Sequence, residues 1–391
     1  MILRLAFRNI VANGWRSITN MLVLSVVLIV IVWMQAMYFS WIRLAETQQI
    51  DWEYAKGMLR VRSYDANDPF SWEDSHAPLS AQMQGAVQQG ELMPVLLSPA
   101  SIYPQGRLMS AMLKGIPHDQ NLVKLPAKIL NPQGRDMIPV LMGTVMARST
   151  RLSKGDVFSI RVKDINGSFN AVDAIVEDVI EIPAVTADIG SIWMDLATLR
   201  EVKAMEDETT YLVMADAGLK SLEQGEFKHI DKNEYFADLY QMLKNERFQQ
   251  ALLYGLLLLL AMLAVFDTQA LAVFRRRREI GTLAALGFTR GKISLLFTVE
   301  GALYMLFAGG LSAVLGFPLF WYFAKVGFKL PDSYDEFGIQ GFSEPIRFVY
   351  PMGEILVIFA LILLLTIWVS WIPTRQISRM NPVDALRGKV N

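Results

Sequence analysis

Four segments of this 391-residue chain are apolar for about 20 residues or more, the length an α-helix needs to cross a bilayer core about 30 Å thick. They lie at residues 18–44, 249–274, 293–324 and 352–373. Nothing else constrains the fold as strongly, because a segment in hydrocarbon must satisfy every backbone polar group internally. Hydrophobic residues make up 53% of the chain and mean hydropathy is +0.30, as a membrane protein requires. The third segment holds Gly309, Gly310 and Pro318, which predict a break or a short interfacial helix at its end. Arg4, Arg8 and Arg16 precede the first segment as in a signal peptide. Its apolar run is longer than an h-region and no small-x-small site follows, so it reads as an uncleaved anchor.

Lysine and arginine near span ends set orientation. Residues 1–17 carry Arg4, Arg8 and Arg16 and no acid. Residues 275–292 carry Arg275, Arg276, Arg277, Arg278, Arg290 and Lys292 against Glu279, and residues 374–391 carry Arg375, Arg379, Arg387 and Lys389 against Asp384. These three pieces are expected in the cytoplasm. The opposite side then receives a short loop, residues 325–351, and one large insertion, residues 45–248, with 20 basic and 29 acidic residues for a net charge of −9. The predicted architecture is an α-helical membrane protein with four transmembrane helices and a large mixed α+β extracytoplasmic domain between helices 1 and 2.

About 200 residues suffice for a core of their own. Residues 58–63, 107–114, 192–195 and 211–214 read as strands, and 79–89 and 196–205 as helices. Residues 156–162 and 170–176 read as a hairpin around Asn166-Gly167, a strong turn dipeptide. Residues 231–248 read as a helical stalk entering the second span. Pro117, Pro126, Pro132 and Pro139 suggest two subdomains meeting near residues 116–140.

Catalytic signatures are missing from the sequence. It has no G-x-S-x-G, H-E-x-x-H or P-loop, no cysteine, and three scattered histidines, His76, His118 and His229. The near-equal totals of 37 basic and 38 acidic residues give no footprint for nucleic acid. Asn166-Gly167-Ser168 matches a glycosylation sequon, and its evident role is the turn.

The segment Phe274 to Ile293, FRRRREIGTLAALGFTRGKI, places four arginines at a membrane boundary and then an apolar stripe of Ile280, Leu283, Ala284 and Leu286 at helical spacing. Gly287 can end that helix, Thr289 can cap the next, and Arg290 and Lys292 can reach headgroups. A short amphipathic helix therefore joins two spans. An ordinary basic loop touching lipid is the plainer reading of the same residues.

The block R-R-R-E-I-G-x-L-x-A-L-G, at Arg276 to Gly287, resembles the signature after the second span of FtsX-like permeases of the FtsX/MacB/LolC–LolE type. L-x-L-A-x-R-N, at Leu3 to Asn9, resembles that family's amphipathic N-terminal helix, with Leu3, Phe7, Ile10 and Val11 on its apolar face. P-T-R…R-M-N-P-V-D-A-L-R, at Pro373 to Arg387, resembles its closing motif, where Asn381 can cap a final helix with Pro382 first and Asp384 answering. Ile138 to Phe158 resembles a looser pattern in the family's external domain.

The resemblance implies a permease subunit of an ABC transporter that binds two copies of a separate cytoplasmic P-loop ATPase and pairs with an identical or paralogous permease. Residues Arg277, Arg278, Glu279, Ile280, Gly281, Leu283, Leu286 and Gly287 would couple to the ATPase. ATP and magnesium would belong to that partner, so this chain would bind no cofactor and be no enzyme. Relatives release or export lipoproteins or lipids, expel macrolides or peptides, or regulate cell-wall enzymes as transmembrane signalling proteins. The implied location is the bacterial cytoplasmic (inner) membrane, with a periplasmic lipoprotein or adaptor among the possible partners.

Two acids lie inside the spans. Asp267 precedes Arg275 by eight residues and Glu300 follows Lys292 by eight, which puts both about 12 Å from the arginine-rich boundary at about 1.5 Å per residue. Acids at such depth face protein or water. A polar contact between spans two and three is one reading, and separate structural neutralisation of each acid is the other. Ala308, Ser312 and Gly316, at four-residue spacing, predict a close helix-packing seam.

Overall fold

The computed structural model describes residues 2–12, 14–66, 68–329 and 345–377, with the side chains of Arg16, Val185, Thr186, Met242, Arg277, Arg278, Ala284 and residues 374–377 left aside. The expected capped helix at Asn381 and most of the closing motif lie outside these residues. The described residues fall into two compact units, one within residues 2–41, 241–328 and 346–377, the other within residues 42–240 with 329 and 345. Among the described residues, four helices have the length and composition to cross a membrane, and the mixed α/β domain lies between the first and second in sequence.

Helix α1 (Ile2–Ala12) turns at Gly14, whose φ of +44° suits glycine, into α2 (Trp15–Gln49). Ala6 and Ile10 of α1 are buried, whereas Leu3, Phe7 and Val11 remain exposed, an apolar stripe of the kind that lies in a membrane interface. At about 1.5 Å per residue, the 35 residues of α2 outrun a bilayer core, and a wider-wound turn, Ile50–Tyr54, continues it.

The inserted unit follows in the order β1 (Met58–Val61), β2 (Ala77–Pro78), α3 (Ala81–Gln88), β3 (Leu92–Tyr103), β4 (Met109–Ile116), β5 (Ile138–Gly143), α4 (Thr144–Thr150), β6 (Val157–Lys163), β7 (Phe169–Ile180), α5 (Val185–Asp188), β8 (Ser191–Asp195), α6 (Leu196–Lys203), β9 (Glu208–Thr209), β10 (Tyr211–Met214), β11 (Phe227–Ile230) and α7 (Lys232–Tyr235). Nine strands form one sheet, β11-β1-β10-β3-β4-β8-β5-β7-β6, and a further β3–β6 pairing closes the last six into a barrel. Most neighbours are antiparallel; β4–β8 and β5–β7 are parallel.

The barrel interior is filled by Leu96, Ile102, Leu113, Val140, Met142, Phe158, Ile160, Val162, Val176 and Met194. In β6 the inward residues alternate with exposed ones, as a half-buried strand requires. Helix α6 packs on the barrel-core face of β4, so closely that a Cβ on Gly115 would lie 2.9 Å from Leu199 Cδ2. Its first turn is capped by Asp195, which accepts from Thr198 N at 3.2 Å. A second core, around Val95, Leu97, Leu141, Trp193 and Val213, lies outside the barrel. Strand β8 is buried along its whole length because both faces are covered.

The expectation of two subdomains meeting at residues 116–140 is corrected. Those residues form the crossover from β4 to β5, and the two halves of the domain instead share β3. Residues 92–95 of β3 pair with β10, residues 96–102 with β4, and residues 100–103 with β6. The hairpin at Asn166-Gly167 is formed by β6 and β7. Gly167 has φ +82°, and Asp164 accepts from the amides of Asn166 and Ser168 at 2.9 and 2.8 Å, an Asx turn.

Helix α8 (Ala237–Arg275) begins after a separate single turn, α7, and runs unbroken for 39 residues. Then come α9 (Arg277–Ala285), α10 (Arg290–Lys325) and α11 (Met352–Ile377). The break expected near Gly309, Gly310 and Pro318 does not occur, and α10 is continuous over 36 residues. Gly309 serves contact instead of bending: a Cβ there would lie 2.5 Å from the Phe359 ring of α11. Ala308, Ser312 and Gly316 are also buried, and a Cβ on Gly316 would lie 3.3 Å from Ile29 Cγ1 of α2. Leu24, Leu28, Ile31, Met262, Val265, Met305, Ile362 and Val369 fill the bundle core. Leu256, Leu260, Leu263, Val314, Phe317, Val357 and Leu364 face outward, each more than half exposed, as lipid-facing residues do. Trp33, Phe323 and Phe348 cluster together, with Phe323 and Phe348 stacked at 5.0 Å.

Candidate functional site

The arginine-rich turn between α8 and α10 is built around one buried side chain. Ile280 of α9 is 6% exposed and packs with Val273, Ile293 and Phe297, which fixes the short helix against the ends of its two neighbours. Gly281 is buried and Leu283 half-buried, while Glu279, Thr282, Leu286 and Gly287 are exposed, Leu286 at 73%. Nine residues are too few for a helix to persist in water unaided, so this packing supports α9. Phe288 N donates to Leu283 O at 3.0 Å, and Gly287 at φ +90° supplies the left-handed residue that closes such a helix. Thr289 occupies the capping position of α10, but its hydroxyl makes no capping bond, contrary to expectation. The structure gives backbone positions in α9 for Arg277 and Arg278.

Arg276 sits at the joint between α8 and α9. Its Nε donates to Glu279 Oε2 at 2.7 Å, its Nη1 to Glu300 Oε2 at 3.4 Å, and its guanidinium lies 5.3 Å from the Phe297 ring centre. Glu300 is fully buried. It also accepts from Asn9 Nδ2 of α1 at 3.4 Å and from the Tyr304 hydroxyl at 3.3 Å. The Tyr304 hydroxyl lies 3.1 Å from Ser17 Oγ, and Ser17 Oγ donates to Ile10 O at 2.8 Å. One carboxylate thus ties together α1, α2, the α8–α9 joint and α10. A buried acid persists when paired and hydrogen-bonded on several sides, and Glu300 meets both conditions.

Asp267 and Glu300 are not brought together. Asp267 is exposed, on the outward stripe of α8 with Leu260, Leu263, Leu271 and Phe274, and the cation that faces Glu300 is Arg276. Sequence reasoning also passed over Asn9, Ser17 and Tyr304 as partners. The available signal was the cost of an unpaired buried acid, which directs attention to the nearest arginines. Among the described residues there is no cluster of metal-ligating side chains.

Comparison with known proteins bears on the same region. Residues 251–382 match the family described as FtsX-like permease C-terminal. A "Probable export ATP-binding/permease protein" of Pseudomonas fluorescens strain Pf-5 is 27% identical over 124 residues, which cover 32% of this chain and 17% of that protein. The chain thus spans about a sixth of that relative's length. Among solved structures, the extracellular domain of the noncanonic ABC-type transporter YknZ from Gram-positive bacteria aligns over 44% of this chain and 100% of its own, at 7% identity and a TM-score of 0.28, a likeness too low to support inference. The family match falls on the last three membrane helices and the α9 turn, the region that holds Arg276 and Glu300.

Proposed function

We propose that the chain is the permease subunit of an ABC transporter in a bacterial cytoplasmic membrane, with both termini and α9 in the cytoplasm and the barrel-bearing domain outside. The observation that carries this is the construction of α9. One side is held by Ile280, and the other presents Glu279, Thr282 and Leu286 to whatever lies beyond the membrane end. A separate P-loop ATPase, two copies per assembly, would dock there and supply the ATP and magnesium. A second permease subunit, identical or paralogous, would complete the complex. Movement of α9 would reach α1, α2 and α10 through Arg276 and Glu300, and through the spans the external domain.

Lipoprotein or lipid release or export is the cargo reading we favour, from the four-span layout with an inserted domain of this size. Macrolide or peptide efflux and signalling to cell-wall enzymes are the alternatives. The test is purification of the tagged chain in nanodiscs, with co-purifying proteins and lipids identified by mass spectrometry. Recovery of a P-loop ATPase that is lost on Leu286→Arg or Leu286→Glu supports the reading, since that side chain is 73% exposed. Recovery of an ATPase that these changes leave bound would remove α9 as the dock. Absence of any ATPase under conditions that preserve such complexes would favour a receptor-like role.

A further inference from the structure

At the arginine-bearing end of the bundle, a cavity of about 50 Å³ is lined by Asn20 of α2, Thr268, Gln269 and Arg275 of α8, Arg276 at the joint and Tyr304 of α10. A water occupies about 10–15 Å³ on this measure, so the space holds either a few waters or one larger polar group. Asn20 is 7% exposed and Gln269 2%. Neither side chain makes a hydrogen bond to any described residue, and Gln269 Oε1 is buried without a partner. Burying an amide without hydrogen bonds costs about 2–7 kcal/mol, and both residues line a single cavity. The lining therefore suits a polar occupant.

The lining decides which kind. Thr268 spends its hydroxyl proton on the carbonyls of Ala264 and Val265, at 2.5 and 3.1 Å. Tyr304 is engaged by Glu300. The groups left over are one acceptor, Gln269 Oε1, which a hydroxyl of a headgroup or of a protonated phosphate can satisfy, and a larger set of donors: the Asn20 and Gln269 amide nitrogens, the N–H groups of Arg276 that Glu279 and Glu300 do not take, and the guanidinium of Arg275, which has no ion pair or hydrogen bond among the described residues. No carboxylate lines the cavity. Two guanidiniums and two amides around a space of this size suit a tetrahedral oxyanion, to which arginine binds in a bidentate fork. At the end of a membrane span, basic pockets between helices take lipid headgroups.

We propose that this cavity binds a phosphate group, held by Arg275, Arg276, Asn20 and Gln269, and that an anionic phospholipid supplies it. The site is independent of what the protein transports. It would anchor the α8–α9 joint to the adjoining leaflet and make the packing of that joint depend on lipid.

The test uses the full chain, delipidated in a maltoside detergent, with thermal unfolding and native mass spectrometry as readouts. Added phosphatidylglycerol is expected to raise the unfolding temperature and to remain bound at one molecule per chain. Arg275→Gln should weaken that retention at least tenfold. Asn20→Leu should abolish the lipid-dependent shift while keeping the lipid-free protein as stable as before or more so, because it removes an unpartnered amide. Inorganic phosphate is titrated in a parallel arm. If it reproduces the whole shift and phosphatidylglycerol adds nothing, the site stands and the ligand is soluble phosphate. If neither ligand shifts unfolding, or if Arg275→Gln and Asn20→Leu retain phosphatidylglycerol as the parent does, the cavity holds only water and the proposal falls.

Discussion

Replacing Gly143 by alanine isolates one contact in the inserted domain. Gly143 has φ −78°, so alanine is conformationally acceptable there, and on backbone grounds Gly→Ala would stabilise by about 0.4–1 kcal/mol. The space is missing, however. A Cβ would sit 2.0 Å from Asp188 Oδ1 and 2.1 Å from its Cγ. Asp188 is 1% exposed and accepts from Val145 N at 3.0 Å and Met146 N at 3.1 Å, holding the first turn of α4. The methyl must displace that carboxyl and leave two buried amides unpaired, at about 1–3 kcal/mol each. The net expectation is a loss of about 1–5 kcal/mol once the backbone gain is subtracted. Denaturant unfolding of the full chain in detergent measures the loss, and hydrogen exchange at Val145 and Met146 should accelerate with it. In an Asp188→Ala background the clash is gone, so Gly143→Ala should become neutral or slightly stabilising. A stability loss in that background equal to the loss in the parent would refute the reasoning.

Four other outcomes follow from the geometry. Arg276→Leu should destabilise by about 3–5 kcal/mol, the usual cost of breaking a buried pair. Arg276→Leu with Glu300→Leu should cost less than either change by itself, and thermal unfolding that shows simple additivity would contradict the pairing. In the inserted domain, Lys114 Nζ lies 2.5 Å from Glu53 Oε1 and 4.8 Å from the Trp193 ring centre; Lys114→Met should cost about 3–5 kcal/mol, recovered in part by Glu53→Leu. Burial lowers the pKa of Lys203, with nearby Glu73 and Asp74 opposing, so the native state holds that proton less tightly than the unfolded chain. Its contribution to stability therefore rises as pH climbs from the lowered value to the ordinary lysine value, and Lys203→Met should match or exceed the parent at neutral pH by about 1 kcal/mol. Burial raises the pKa of Asp188, against the bonds from Val145 and Met146 and the charge of Lys114. Stability should then fall as pH rises from the ordinary aspartate value through the raised one, and Asp188→Asn should flatten that slope in unfolding curves across the acid range.

The spans and the β6–β7 hairpin were legible in the sequence because each rests on a local signal, a long apolar run in one case and alternation around Asn-Gly in the other. Strand β3 was not legible. Pro94 and Pro99 argue against a strand interior, yet Pro94 pairs with Leu212 and Pro99 with Met112, because β3 changes partners along its length. Barrel closure was equally hidden, since the β3–β6 pairing joins residues about 60 positions apart and leaves no trace in any window. At the α9 turn, depth was readable and azimuth was not. Asp267 and Glu300 share a depth, but Asp267 stands two residues from buried Gln269, about 200° round the helix at 100° per residue. Arg276 follows Gln269 by seven residues and returns to nearly the same face. That rotation puts the Arg276 guanidinium, and not Asp267, beside Glu300.

The sharing of β3 between barrel and open sheet also has a mechanical side. A pull along β3 loads its ladder to β4 in shear, so the bonds from Leu96–Gly115 to Ile102–Met109 must yield together. A pull across the strand would open them one pair at a time, at far lower force. Tension entering at Leu92 is therefore carried lengthwise into the barrel wall by a single covalent path, with no hinge between the two halves at which it could dissipate.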